Sequence, residues 1–242
     1  MKKQTIITLT ALLAIVVVAM FAGCTEKEVP VSTQIQTSTV TQTVQPAAPM
    51  PDRKAPEILS MNSYTDNSGY VKVVGEVKNN LQSNINFVKL TATFYDADKK
   101  VIGTDFTYAE LDILKPNQKS PFELSSYPNK RTPEWDNYKL HLSYGTTGQS
   151  PYPGLEILSH RDKIDNRGYH KIVGEVKNKG ERTSSFVKLV STYYDAEGEV
   201  IGTDFTFTDP SDIAPGYSAP FELSSYPRKL RPSRYELQVE GN

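Results

Sequence analysis

Three observations predict an all-β fold of two tandem antiparallel β-sandwich domains. The chain repeats itself at a spacing of 99 residues, as the shared heptapeptide VIGTDFT at Val101 and Val200 marks. Apolar residues alternate with period two rather than 3.6 in each copy, and Gly, Pro and Asp punctuate the sequence at strand-length intervals. Composition agrees, with 14 tyrosines, 16 prolines and 14 glycines supplying strand and turn residues.

Residues 1–23 read as an export signal. Lys2 and Lys3 form a positive start, an apolar run follows from about Ile6 to Phe21, and Ala22 and Gly23 provide the small residues before a cut. Cys24, the single cysteine of the chain, comes next. The order resembles the lipobox of prokaryotic lipoproteins, which implies lipidation of Cys24 and a membrane-anchored chain facing the extracytoplasmic side. Phe21 departs from the usual leucine of that box. An ordinary signal peptide and an uncleaved anchor are the alternatives, since the run approaches the roughly 18 residues that span a bilayer. All three place the rest of the chain outside the cytoplasm.

Residues 24–55 are rich in Thr, Gln, Val, Ser and Pro and carry almost no large apolar side chains. Such a segment lacks the means to build a core and is expected to be a disordered tether. Extended at about 3.1 Å per residue, it would reach up to ~90 Å from a membrane.

The repeat then sets the domains at 56–147 and 154–242, joined near the Gly-, Ser- and Pro-bearing stretch TTGQSPYPG. Residues 57–133 align with 156–232 without a gap, and roughly half of the positions are identical. A period near 100 is too long for a solenoid and suits a sandwich domain. Each copy is expected to hold about six strands and no helix. In YVKVVGEVKNN, Val71, Val73 and Val77 make a core face against Lys72, Glu76 and Lys78 on a wet one. Ile172 and Val176 do the same against Lys171, Glu175 and Lys177. In FVKLTATFYD, Val88, Leu90, Ala92 and Phe94 share the inner face. The last strands present Tyr138, Leu140, Leu142 and Tyr144, and Tyr235, Leu237 and Val239. Within VIGTDFT, Ile102, Thr104 and Phe106 alternate with Val101, Gly103 and Asp105, and the motif reads as framework copied with its domain.

The order V-x-G-E-V-K-N, F-V-K-L, Tyr-Asp, V-I-G-T and P-F-E-L resembles the FxLYD domain along nearly the whole of both copies. That resemblance implies an immunoglobulin-like sandwich, found in tandem on exported prokaryotic proteins, often lipoproteins. The name-giving motif is imperfect: Ala92-Thr93-Phe94-Tyr95-Asp96 and Ser191-Thr192-Tyr193-Tyr194-Asp195 put a small residue where its first Phe belongs. The family brings no catalytic residues to carry over.

Candidate sites are sparse. Basic and acidic residues nearly cancel, 27 against 28, so no global charge draws in nucleic acid. One cysteine excludes an intramolecular disulfide and a four-cysteine zinc site. The acidic pairs after Tyr95 and Tyr194 lack the further ligands of a calcium loop and read as hairpin turns, with Gly198 at positive φ. His141, His160 and His170 show no pairing in the sequence that suits metal binding or catalysis, and His141 is expected to face solvent. No cofactor and no enzymatic activity are expected.

Two features suit recognition. Phe87 with Tyr95, and Phe186 with Tyr194, lie opposite the Val/Leu core and point outward by alternation, either toward a sugar or protein or into a second layer under a loop or against the neighbouring domain. Arg228, Lys229, Arg231 and Arg234 cluster in copy two, where they face an anionic partner or simply solvent. Trp135 lies in an insertion unique to copy one, where it either caps that domain or touches the other. The reading is a lipid-anchored protein with two non-catalytic binding modules for a protein or cell-surface glycan. Its alternative is a structural or accessory subunit of an envelope complex. Segments that differ between copies, such as 80–86 against 179–185, are where function is to be sought.

Overall fold

The computed structural model describes residues 55–66, 68–126, 135–225 and 231–242. These residues are all β, with no helix among them. The export signal, Cys24, the tether up to residue 54, Arg228 and Lys229 lie outside the described residues.

The first sandwich comprises β1 (Glu57–Thr65), β2 (Val71–Lys78), β3 (Asn84–Tyr95), β4 (Val101–Tyr108), the two-residue β5 (Ile113–Leu114), β6 (Lys119–Ser126) and β7 (Asn137–Thr147). One sheet runs β1-β2-β6, and the other centres on β3, flanked by β4, β5 and β7. The second sandwich repeats the plan with β8 (Leu155–Ile164), β9 (His170–Asn178), β10 (Lys188–Tyr194), β11 (Val200–Phe207), β12 (Ser218–Ser225) and β13 (Arg234–Glu240). Its sheets run β8-β9-β12 and β11-β10-β13, all antiparallel. The counterpart of β5 shrinks to a single bridge, Ser184 with Ile213. Six strands are therefore present in copy two, and a short seventh in copy one.

Alternation explains both cores. Val71, Val73, Val77, Leu90, Ala92, Phe94, Phe122 and Leu124 fill the first, and Ile172, Val176, Leu189, Tyr193, Phe221 and Leu223 the second. The glycine of GEV is required by a close approach. A Cβ on Gly75 would lie 2.2 Å from the Ser60 carbonyl oxygen and 2.8 Å from the Phe122 ring, and Gly174 is enclosed likewise by Ser159 and Phe221. Trp135 caps the first sandwich, its ring 6.3 Å from that of Phe94 and 6.1 Å from Tyr138.

Turn chemistry matches the sequence. The Asp96 side chain accepts from the Lys100 amide at 2.9 Å, and Asp195 accepts from the Glu197 and Glu199 amides at 3.1 and 2.8 Å. Gly198 has φ 88°, whereas copy one places Lys99 there at φ 64°. Tyr144 departs from its expected inner face and is exposed. It pairs opposite the point where β3 shifts register between Asn86 and Lys89, so the pleat loses phase there.

A buried asparagine staples each sandwich, Asn79 just past β2 and Asn178 at the end of β9. Asn178 Nδ2 donates to the Arg182 and Ile213 carbonyls at 2.8 and 2.7 Å. Its Oδ1 accepts from the Gly180 amide and the Tyr152 hydroxyl at 2.9 and 3.1 Å. Asn79 repeats this with Ser83, Leu114 and Leu81. Copy two thus uses the divergent 179–185 segment to hold Tyr152 of the interdomain connection, which Arg182 also covers at 4.8 Å. The Tyr152 amide donates to Gly241, and Asn84 of copy one donates to Gln149. The connection is pinned from both sides. Asn178→Ala should lower the unfolding free energy by about 2–4 kcal/mol, because several buried backbone groups lose their partner at once. A denaturant titration would read it as a fall in midpoint at unchanged slope.

Candidate functional site

Both sandwiches fall within one compact unit. The outer face of β10-β11-β13 lies on the outer face of β1-β2-β6, where β11 meets β1, β2 and β6, so part of each of these two faces is covered. Val74, Tyr194 and Val200 are buried together, with Tyr64 packed against them, and Val190 joins the core cluster of the first sandwich. This corrects the expected wet face of β2, where Glu76 is only 4% exposed. Tyr194 takes the second of its expected places, on the outer face of its own sandwich and buried against the neighbouring domain.

Polar groups at this joint are matched. The Tyr194 hydroxyl donates to Glu76 Oε1 at 2.7 Å and lies 3.2 Å from Glu236 Oε2. Lys119 approaches the other Glu76 oxygen at 3.4 Å. Burial, reinforced by both carboxylates, pushes the Tyr194 phenol far above its usual range, so it stays a donor. Gln238 spans the joint with its amide nitrogen on the Lys119 carbonyl at 3.1 Å, and Gln118 donates to Gln238 at 3.1 Å.

At the far end Lys188 donates to the Glu110 carbonyl and lies 3.8–4.0 Å from the Glu240, Asp112 and Glu110 carboxylates. Glu240 accepts from the Asp112 amide through both oxygens at 3.1 Å. Burial, then the Asp112 charge, raises Glu240 from 4.5 to about 7, with Lys188 opposing. Glu110 is also raised, chiefly by burial.

The remaining candidates scatter. Phe87 and Phe186 are 73% and 64% exposed, and both hold a left-handed backbone, φ 48° and 52°. That conformation costs a bulky L-residue roughly 1–2 kcal/mol, and here it recurs at matched positions. Tyr95 is half-buried beneath Lys139, whose Nζ lies 5.7 Å from its ring. Arg231 is exposed, while Arg234 stacks 3.6 Å over the Tyr194 ring and pairs with Glu236 at 2.6 Å. Arg234 therefore serves the rim of the joint.

Two features escaped the sequence. The rings of Phe106 and Tyr108 meet edge-on at 6.0 Å, as do Phe205 and Phe207 at 6.1 Å, and all four are exposed. Lys89 lies 4.0 Å from the Phe106 ring and Lys188 4.9 Å from Phe205. The period-two spacing of Phe106 with Tyr108, and of Phe205 with Phe207, was the available signal. Second, His160 and His170 converge on Tyr235. His160 Nδ1 is 2.9 Å from the Tyr235 hydroxyl, and His170 Nε2 is 2.7 Å from Asp162 Oδ2. Residues apart in sequence meet because β8 pairs with β9 and lies beside β13. His141 faces solvent, as its alternation requires. Among the described residues, no group of three or more His, Cys, Asp or Glu side chains is gathered to hold a metal ion.

No family model and no curated protein matches the chain. Among solved structures, similarity is found to red sea bream transglutaminase, at 10% identity and TM-score 0.26 over 78% of this chain and 29% of that one. A calcium-binding mutant of Bacteroides uniformis beta-glucuronidase 2 is similar at 12% identity and TM-score 0.26, over 70% and 24%. The chain thus spans under a third of either.

The Glu240 shift sets a pH response of the joint. Its carboxyl binds a proton more tightly when folded, so its stabilisation is full below about 4.5 and is lost as pH rises through about 7. Thermal unfolding should therefore shift upward on acidification across that window, by up to roughly 3 kcal/mol from this group. Glu240→Gln should flatten the response.

Proposed function

We propose that the chain is a membrane-anchored, extracytoplasmic lipoprotein whose two immunoglobulin-like sandwiches bind a protein or cell-surface glycan without catalysis. The observation that carries the binding reading is the matched pair Phe87 and Phe186. Each is exposed and held in a costly backbone conformation at the same place in its copy. A large ring displayed this way offers apolar area for stacking on a sugar or seating in a partner's pocket. The resemblance to the FxLYD domain and the lipobox-like ending at Cys24 support export and anchoring.

The alternative, a structural or accessory subunit, is favoured by the exposure of Val101, Phe106 and Tyr108 on β4, which leaves apolar area suited to a protein neighbour.

Cys24→Ala should release the chain from membrane fractions, and retention at the wild-type level would contradict the lipid anchor. For binding, the Phe87→Ala/Phe186→Ala double variant would be compared with wild type on a glycan array and in crosslinking from native membranes. Loss of a glycan or protein signal with unchanged folding supports the reading. Identical profiles for both chains would contradict it.

A further inference from the structure

The heptapeptide VIGTDFT is the same in both copies, yet its surroundings are opposite. Val200 is 1% exposed because β11 lies on the first sandwich, whereas Val101 is 52% exposed. Thr203 is buried and Thr104 is exposed. The same inversion holds for the surface that receives β10 and β11. Val74 and Glu76 are buried, while their counterparts Val173 and Glu175 are half-buried and exposed. The chain thus keeps one covered and one open example of each half of its internal joint.

We propose that a second copy of this chain docks head to tail, the β3-β4-β7 face of one on the β8-β9-β12 face of the other, repeating the internal joint between molecules. The proposal is independent of the lipid anchor and of the phenylalanine pair. Four positions on each open face repeat residues of the joint. Lys89, Thr93, Tyr95 and Val101 stand where Lys188, Thr192, Tyr194 and Val200 stand in the docked face. Lys171, Val173, Glu175 and Glu222 stand where Lys72, Val74, Glu76 and Glu123 receive it. The receiving face is an open depression, lined among others by Arg161, Val173, Glu175 and Pro220.

Charge at the changed positions favours the contact. Glu236 brings a second carboxylate to the Tyr194–Glu76 pair, and the strand position of Glu236 is held in copy one by Lys139. The Tyr95 hydroxyl would reach Glu175 with Lys139 beside it, giving that carboxylate a cation in place of a repelling neighbour. Lys89 would meet Asp209, which stands at the place of Glu110. Three exchanges act the other way: Thr91 for Val190, whose hydroxyl must lose its water on docking, Ser218 for Lys119, which removes the cation that meets Glu76 within the chain, and Lys163 for Tyr64. Without a covalent linkage the intermolecular joint also lacks the high effective concentration of the internal one. It is therefore the weaker of the two. Since each copy offers two different faces, the contact is heterologous and leads to rings or open chains of copies.

The test is sedimentation velocity of the full chain in detergent over a concentration series, with Val101→Asp and Val173→Asp. Both positions lie on open faces, and unchanged circular-dichroism melts would confirm folding. Wild type should associate with concentration, and each variant alone should remain a monomer. Mixing the two variants should restore a 1:1 dimer that grows no further, because one retains the donor face and the other the receiving face. Wild-type monomer throughout, persistence of association in either variant, or failure of the mixture to dimerise would each overturn the proposal.

Discussion

The structure depends on the burial of one carboxylate. Glu76 sits between two sandwiches, where an unpaired charge would cost several kcal/mol, and it persists there because Tyr194 and Lys119 meet it. Tyr194 in turn is held by Val74 and Val200 around its ring and by Arg234 above it. The valines supply apolar area and the phenol supplies direction, so the joint has one register. From that contact follow the dry outer face of β2, the burial of half of β11 and the gathering of Lys188, Glu110 and Glu240 at the far end.

Most of the fold is legible in the sequence because its signal is local. Period-two alternation finds the cores of both sandwiches, and Asp96 and Asp195 bind the backbone of the turns they were expected to make. The buried staples Asn79 and Asn178 belong to the repeated GEVKN, whose other letters looked like an ordinary strand end. The joint is not legible in the same way. Alternation separates the inner face of a sheet from its outer face, but not an outer face that meets water from one that meets a neighbour. VIGTDFT demonstrates the limit, since one string is exposed in copy one and half covered in copy two. Tyr144 is lost to a register shift, and the His160–Tyr235–His170 grouping needs strand pairing across the second sandwich to appear.

Duplication followed by docking also explains where the copies differ. Residues 179–185 grip Tyr152 of the connection, whereas 80–86 hold it through Asn84 on Gln149 and Ser150. Glu236, Gln238 and Glu240 complete the joint, whereas Lys139, His141 and Ser143 hold the corresponding places on an open face. The divergent residues thus serve assembly within the chain, while the matched residues Phe87 and Phe186 serve the proposed contact with a partner. A rigid pair of sandwiches would present those two rings at a constant separation, which suits a repetitive or extended target.

The central claim is that the two sandwiches are held as one body by the Val74–Tyr194–Val200 contact. Electron spin–spin distance measurement between labels at Ala97 and Glu197, in a Cys24→Ser background, tests it most directly. One narrow distance distribution is predicted for the otherwise native chain, broadening when Val74→Arg is added. A broad distribution in the native joint, unaltered by Val74→Arg, would contradict it.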